Sequence, residues 1–208
     1  MPVTMRDGRW WWRGALVLMT LTLAMGSALV VALTLGWNNP RPARLPDWQA
    51  DAFPIILEAR SNETTVMLLT DPGSDFILEV EAVPLSDSDL DGYGLVYRAQ
   101  DDDHYYAFAV GSDGYYAVLR AEDSEETELV DWQQFPHIHR GRQSNQLRVA
   151  CAGQSCRFYI NDEYAATVED DTWLAGDAGL WGHGLDLVVQ FLDARLWSEG
   201  DGGGLREQ

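Results

Sequence analysis

At 208 residues with 46% hydrophobic content, the chain has room for one sizeable domain plus an appendage, and enough apolar side chain to exclude wholesale disorder. Its 14 basic residues, all Arg, face 33 acids for a net charge of −19. The imbalance lies beyond Arg44: residues 1–44 carry +4 and residues 45–208 carry −23, which excludes nucleic acid as a partner because phosphate contacts need a basic surface.

Residues 1–13 contain Arg6, Arg9 and Arg13 and read as a cytoplasmic N-terminus. From Gly14 to Gly36 no residue is charged. As a helix this stretch would rise about 34 Å, against ~30 Å for a bilayer core. Trp10–Trp12 and Trp37 flank it as interfacial rings would. The expectation is a transmembrane helix over 14–37 in a single-pass protein of the cell membrane, with the C-terminal domain extracytoplasmic. A cleaved signal peptide competes, but the apolar run continues ten residues past the small-x-small site at Ala24-Met-Gly26. Thr20, Ala24, Ala28, Ala32 and Gly36 recur every four residues, a small-residue row that would admit a second helix in lipid. Integral membrane subunits are the partners this row predicts.

Residues 38–54 hold four prolines and read as an extended stalk. Short β-rich runs follow, separated by Gly, Asp, Asn and Ser: Thr64–Thr70, Phe76–Val83, Tyr93–Ala99, Tyr105–Val110, Tyr115–Arg120, Glu128–Trp132, Gln146–Cys151, Arg157–Asn161, Tyr164–Val168, Ala178–Trp181 and Leu187–Trp197. This rhythm predicts an antiparallel β-sandwich over 55–197, followed by a flexible tail, 198–208. Period-two alternation assigns the faces. Tyr106, Phe108 and Val110 share one, and Tyr105, Ala107 and Ala109 the other. Asp101–Asp103 fall in the turn before them. Cys151 and Cys156, the only cysteines, are separated by a four-residue loop between two strands. That places them within disulfide reach in an oxidising compartment, with two reduced core thiols as the alternative.

The succession GLVYRAQDDDHYYAFAVGSDGYYAVLR, NQLRVACAGQSCRFYINDEYAATVED, GDAGLWG and VVQFLDARLW resembles a bacterial laminin G-like, concanavalin A-type jelly roll, nearest the group labelled 3-keto-disaccharide hydrolase-like. The resemblance spans about residues 55–197 and implies an all-β, antiparallel jelly-roll sandwich behind the helix. It specifies function poorly, because such folds serve lectins, glycosidases and adhesion modules alike.

Glycosidases of that fold class carry Glu-x-Asp-x-x-Glu on a strand, and no segment here matches. Glu79 and Glu81 come nearest, on the polar face of one strand. No catalytic residue is therefore assigned. Asp87, Asp89 and Asp91 precede Gly92 with the alternate oxygen spacing of a calcium loop, but a solvated acidic turn explains them too. Calcium is the one cofactor considered. His137 and His139 would face the same way in an extended segment, without a third ligand in sequence. Tyr105, Tyr116 and Trp132 are the candidate exposed rings for a binding surface. Two functions follow: a non-catalytic accessory subunit of a membrane complex whose sandwich contacts partner proteins, or an anchored lectin-like domain for envelope or extracellular glycans. A glycoside hydrolase-like enzyme stands third.

Overall fold

The structure, a computed structural model, describes residues 9–34, 44–50, 53–86, 91–123 and 125–198. It divides into two units, Met1–Asn39 and Pro40–Gln208.

The first unit contains α1 (Arg9–Thr34). Within it, Thr20 Oγ1 donates to the Leu16 and Val17 carbonyls, and Ser27 Oγ to that of Leu23. Among the described residues, no helix is long and apolar enough to cross a membrane. This corrects the expected transmembrane helix over 14–37 and the single-pass localisation built on it. Thr20, Ala24 and Ala28 are exposed on the helix, while the side chain of Ala32 and all of Gly36 lie outside the described residues.

The second unit is antiparallel β throughout. Its strands are β1 (Trp48–Gln49), β2 (Ile55–Thr70), β3 (Phe76–Pro84), β4 (Gly92–Ala99), β5 (Tyr105–Gly111), β6 (Tyr115–Glu122), β7 (Glu125–Gln134), β8 (Asn145–Ala152), β9 (Ser155–Ile160), β10 (Glu163–Glu169) and β11 (Asp177–Ser198). Hydrogen bonding runs in the order β10-β9-β8-β3-β11-β4-β5-β6-β7, with β1 and β2 also on β11. The long β11 serves both layers of the sandwich. Its first half (Asp177–His183) pairs β4, and its second half (Val189–Ser198) pairs β3. The crossing point is marked by a register shift between Gly184 and Asp186, opposite Ser61 and Asn62 of β2, which both take φ of 61°. Such left-handed residues bend a strand sharply, so β2 and β11 pass together from one layer to the other.

The two layers enclose the main core. Phe108 and Tyr97 of one meet Phe158 of the other at ring separations of 4.9 and 5.8 Å. Tyr106, Val110 and Val118 from one side, with Leu78, Val80, Leu147 and Val149 from the other, complete it. Gly94 is required here, because a Cβ would lie 1.9 Å from the Phe108 carbonyl oxygen. Cys151 and Cys156 form the expected disulfide across the β8–β9 hairpin, in register with each other. The turn it closes is held from both sides: Gly153 N–H donates to Asp75, and its carbonyl accepts from the buried Arg98.

The expected strands are all present, and the reading departs most from the structure at β2 and β11. Ile55–Glu63 joins Thr64–Thr70 in β2, because the turn-like Arg60-Ser-Asn-Glu63 bends the strand without ending it. The apparent break at Gly182-His-Gly184 likewise lies inside β11. Part of the stalk pairs with the sheet, Trp48 opposite Leu196 and Gln49 opposite Arg195. Trp197 Nε1 donates to the Arg44 carbonyl beside it. Of the tail, only Ser198 falls within the described residues.

Candidate functional site

The outward faces of the two layers differ in chemistry. On the layer containing β3, β8 and β9, register aligns Arg195, Glu79, Arg148, Tyr159 and Tyr164 in one row across five strands. Glu79 accepts from Arg148 and Arg195, each at 3.5 Å, and the Arg148 guanidinium lies 4.8 Å from the Tyr159 ring centre. Arg148 also reaches Asp162 at 3.2 Å. Opposite charges neutralise each other along this ladder. Glu81 accepts from Ser144 Oγ at 2.6 Å. The nearest approach to a carboxylate pair is thus committed to structural partners.

The far side of the other layer is built of small side chains and is itself buried, with Val66 and Leu68 of β2 packed on it. Val96, Ala107, Ala109, Ala117 and Ala121 alternate with the core residues of β4–β6 and gather around Trp181 of β11. Large rings stand on this alanine floor. The β6–β7 register shifts between Tyr116 and Val118, so Asp131 and Trp132 together face Ala117. The bulge turns Trp132 onto this face, where it is 40% exposed. A Cβ at Gly92 would touch both Trp181 and Trp132, so the glycine lets the two indoles close over the sheet. Trp181 also stacks on His183 at 6.1 Å, and His183 Nδ1 is bonded to Thr64 Oγ1 at 2.9 Å.

Beside these rings lies an open groove of about 670 Å³, lined by Thr64, Thr65, Val66, Asp102, Asp103, Tyr105, Ala121, Glu126 and His183. Its carboxylates are exposed, and among the described residues none of Asp102, Asp103 and Glu126 has an ion-pair partner. Tyr105 is 4% exposed, and burial raises its hydroxyl pKa above the ordinary tyrosine value. The Trp181 indole is 2% exposed. Its N–H lies against the Tyr105 hydroxyl, inside the groove wall and away from its open surface.

The rim is braced by histidine. His104 Nδ1 meets Asp101 Oδ1 at 2.8 Å, and its Nε2 meets Asp123 at 3.2 Å, tying the β4–β5 turn to the β6–β7 turn. The bond to Asp101 raises the His104 pKa above the ordinary histidine value.

Of the three expected surface rings, Trp132 is exposed and Tyr105 lines the groove while largely buried. Tyr116 is corrected: it points into the core at 2% exposure, packs on Phe108 and Phe135, and donates to the Ala165 carbonyl. Alternation from Tyr115 assigns it inward once β6 is paired with β5. The calcium reading fares poorly. Asp91 is 1% exposed, with one oxygen accepting from Leu185 N–H and the other from Ser86 Oγ, so it anchors a β11 bend. Asp87 and Asp89 lie outside the described residues, and among those described no group of three or more potential metal ligands occurs. His139 bonds to the Ser144 carbonyl and His137 lies against Phe135, so the pair builds no joint site. Sequence reading missed Trp181, His183 and Thr64 as neighbours of Tyr105, because only strand pairing brings β2 and β11 beside β4.

No known family matches the sequence, and no curated protein matches it significantly. Among solved structures the domain is similar to the carbohydrate binding module CBM66 from Bacillus subtilis (19% identity, TM-score 0.59, covering 68% of this chain and 86% of that one). It is also similar to a functionally unknown protein from Saccharomyces cerevisiae (15%, TM-score 0.55, 75% and 94%). A third likeness is to xylan beta-1,4-xylosidase from Bacillus halodurans C-125 (12%, TM-score 0.52), where it covers 69% of this chain and 33% of that one. At these identities the likeness shows the fold alone, a jelly-roll-like β-sandwich.

Proposed function

We propose that the sandwich is a non-catalytic glycan-binding module that uses the open groove bordered by Thr64, Asp102, Tyr105, Glu126 and His183. The observation that carries this reading is the groove itself, where the Tyr105 and His183 rings, the Thr64 and Thr65 hydroxyls and three carboxylates line one open surface. Sugars are bound by that mixture: rings stack on C–H faces, and polar groups orient the hydroxyls. The fold's likeness to a carbohydrate binding module adds support. The commitment of Glu79 and Glu81 to Arg148, Arg195 and Ser144 supports binding without turnover. The rival reading, an accessory subunit of a membrane complex, drew on the small-residue row of the helix and gains nothing from the sandwich.

A glycan array followed by calorimetric titration of the best hit tests the proposal. Trp132→Ala should weaken binding by fivefold or more, equivalent to about 1 kcal/mol of lost ring contact. Tyr164→Ala, which removes a ring 55% exposed on the opposite layer, should leave affinity unchanged. Absence of glycan binding, or equal effects of the two variants, would overturn the assignment.

A further inference from the structure

Strands β2, β7 and β10 each pair on one side only among the described residues, which turns a row of backbone donors and acceptors outward on each. Such a row is a template for another strand, and charged side chains along it are a common protection. β7 carries Glu125, Glu126, Glu128 and Asp131, β10 carries Glu163 and Glu169, and the first half of β2 carries Glu58 and Arg60. The second half of β2 is different. Thr64-Thr-Val-Met-Leu-Leu-Thr70 holds no charge, in a chain with 33 acids. Within it, Thr64–Leu68 keeps unbroken register with His183–Gly179 of β11, and register shifts lie beyond both ends.

The core is also unfinished along this edge. Met67 stands opposite Leu180, which is buried in the main core, so both side chains are on the core-facing side of the sheet. Met67 is nonetheless 36% exposed, whereas Val66 and Leu68, on the other face, pack against the alanine cluster around Trp181. The strand's own sequence fits this edge. Residues directly opposite in an antiparallel pair share a face, so a two-fold axis normal to the sheet passes through a single residue position. With the axis at Val66, Val66 meets its own copy, Met67 meets Thr65, and Thr64 meets Leu68. Glu63 falls opposite Leu69, so no carboxylate opposes another.

We propose that two copies of this chain join edge to edge through Thr64–Leu68 of β2, an isologous antiparallel pair that makes one sheet continuous across both molecules. A second copy is the occupant because the neutral edge complements itself, while every other named edge segment would set charge against charge. The contact is short and each copy carries −19, so the dimer is weak and depends on concentration.

The test is sedimentation equilibrium of the full chain from ~10 µM to ~1 mM, where weak self-association is populated. The mass should rise from monomer to dimer and stop there, because pairing consumes the edge. The dimer should tighten in ~0.5 M salt, which screens the repulsion between the acidic copies. Met67→Glu brings two like charges to the axis and should weaken it by about tenfold or more. Gln134→Glu adds the same charge at an exposed position of β7 and should change nothing. Val66→Cys sets two thiols across the axis within disulfide reach, and mild oxidation should trap the dimer. The native cysteines are already paired, so no other thiol competes, and Gln134→Cys should stay monomeric under the same oxidation. If Met67→Glu fails to fold, the Val66→Cys crosslink decides alone. A monomer at every concentration overturns the proposal, as does association that weakens in salt. Association that survives Met67→Glu without a Val66→Cys crosslink overturns it too, by placing the contact elsewhere.

Discussion

Replacing Asn145 by Ala tests how the loop between β7 and β8 is fastened to the core. Asn145 has no exposed surface, and its amide is used from both ends. Oδ1 accepts from the His139 N–H and from Asn161 Nδ2, while Nδ2 donates to the Tyr93 hydroxyl and the His139 carbonyl, all four at 2.8 Å. At about 1 kcal/mol net for each bond, the truncation should cost about 4 kcal/mol. That is a large part of the ~5–15 kcal/mol typical of a whole domain. Urea unfolding followed by tryptophan fluorescence gives the measurement, read as a midpoint shift at constant m-value. Tyr93→Phe removes one of the four partners and should cost about 1 kcal/mol, with a similar coupling energy in the double-mutant cycle. The Tyr93 hydroxyl, held at about 12 chiefly by burial, should also begin to ionise at lower pH if the loop loosens. A loss below ~1 kcal/mol for Asn145→Ala would refute the reasoning, because it would mean the loop reseats without this amide.

Three further outcomes follow from the geometry. Gly94→Ala should destabilise by about 3 kcal/mol or abolish folding, since the obstructing group is a backbone carbonyl that cannot rotate away; a near-normal melting curve would refute it. Reducing the Cys151–Cys156 bond, which closes a loop of sequence separation 5, should lower stability by only about 2 kcal/mol in urea titrations with and without reductant. Denatured, unreduced protein should show no reactive thiol. His104 has a folded pKa above its unfolded value of about 6.5, so its bracing of the two rim turns is fully present below pH ~6.5 and fades as pH rises through the folded value. Proton NMR titration of its ring should give a pKa above 6.5 that returns to the ordinary value in Asp101→Asn, and an unchanged titration in that variant would count against the brace.

The sequence by itself determined the local grammar of this protein. Period-two alternation in Tyr105–Val110 separated Tyr106, Phe108 and Val110 from Tyr105, Ala107 and Ala109, because a strand's side chains alternate, but it did not show that both sets are buried. The spacing of Cys151 and Cys156 gave the disulfide, since a short hairpin loop leaves few other arrangements. The apolar run at the N-terminus, by contrast, read as an anchor, whereas among the described residues no helix is long and apolar enough to cross a membrane. Tertiary structure decided what local pattern leaves open. Ser61 and Asn62 read as a turn, and only pairing against β11 turns them into the bend by which β2 changes layers. Trp132 joins Trp181 through a bulge that no period predicts. Asp102, Glu126 and His183, remote in sequence, become one groove because β11 lies between β2 and β4, while β5, β6 and β7 continue the same face. Strand order is a long-range property set by packing of the whole sandwich, so the groove is written in the sheet and not in any one segment.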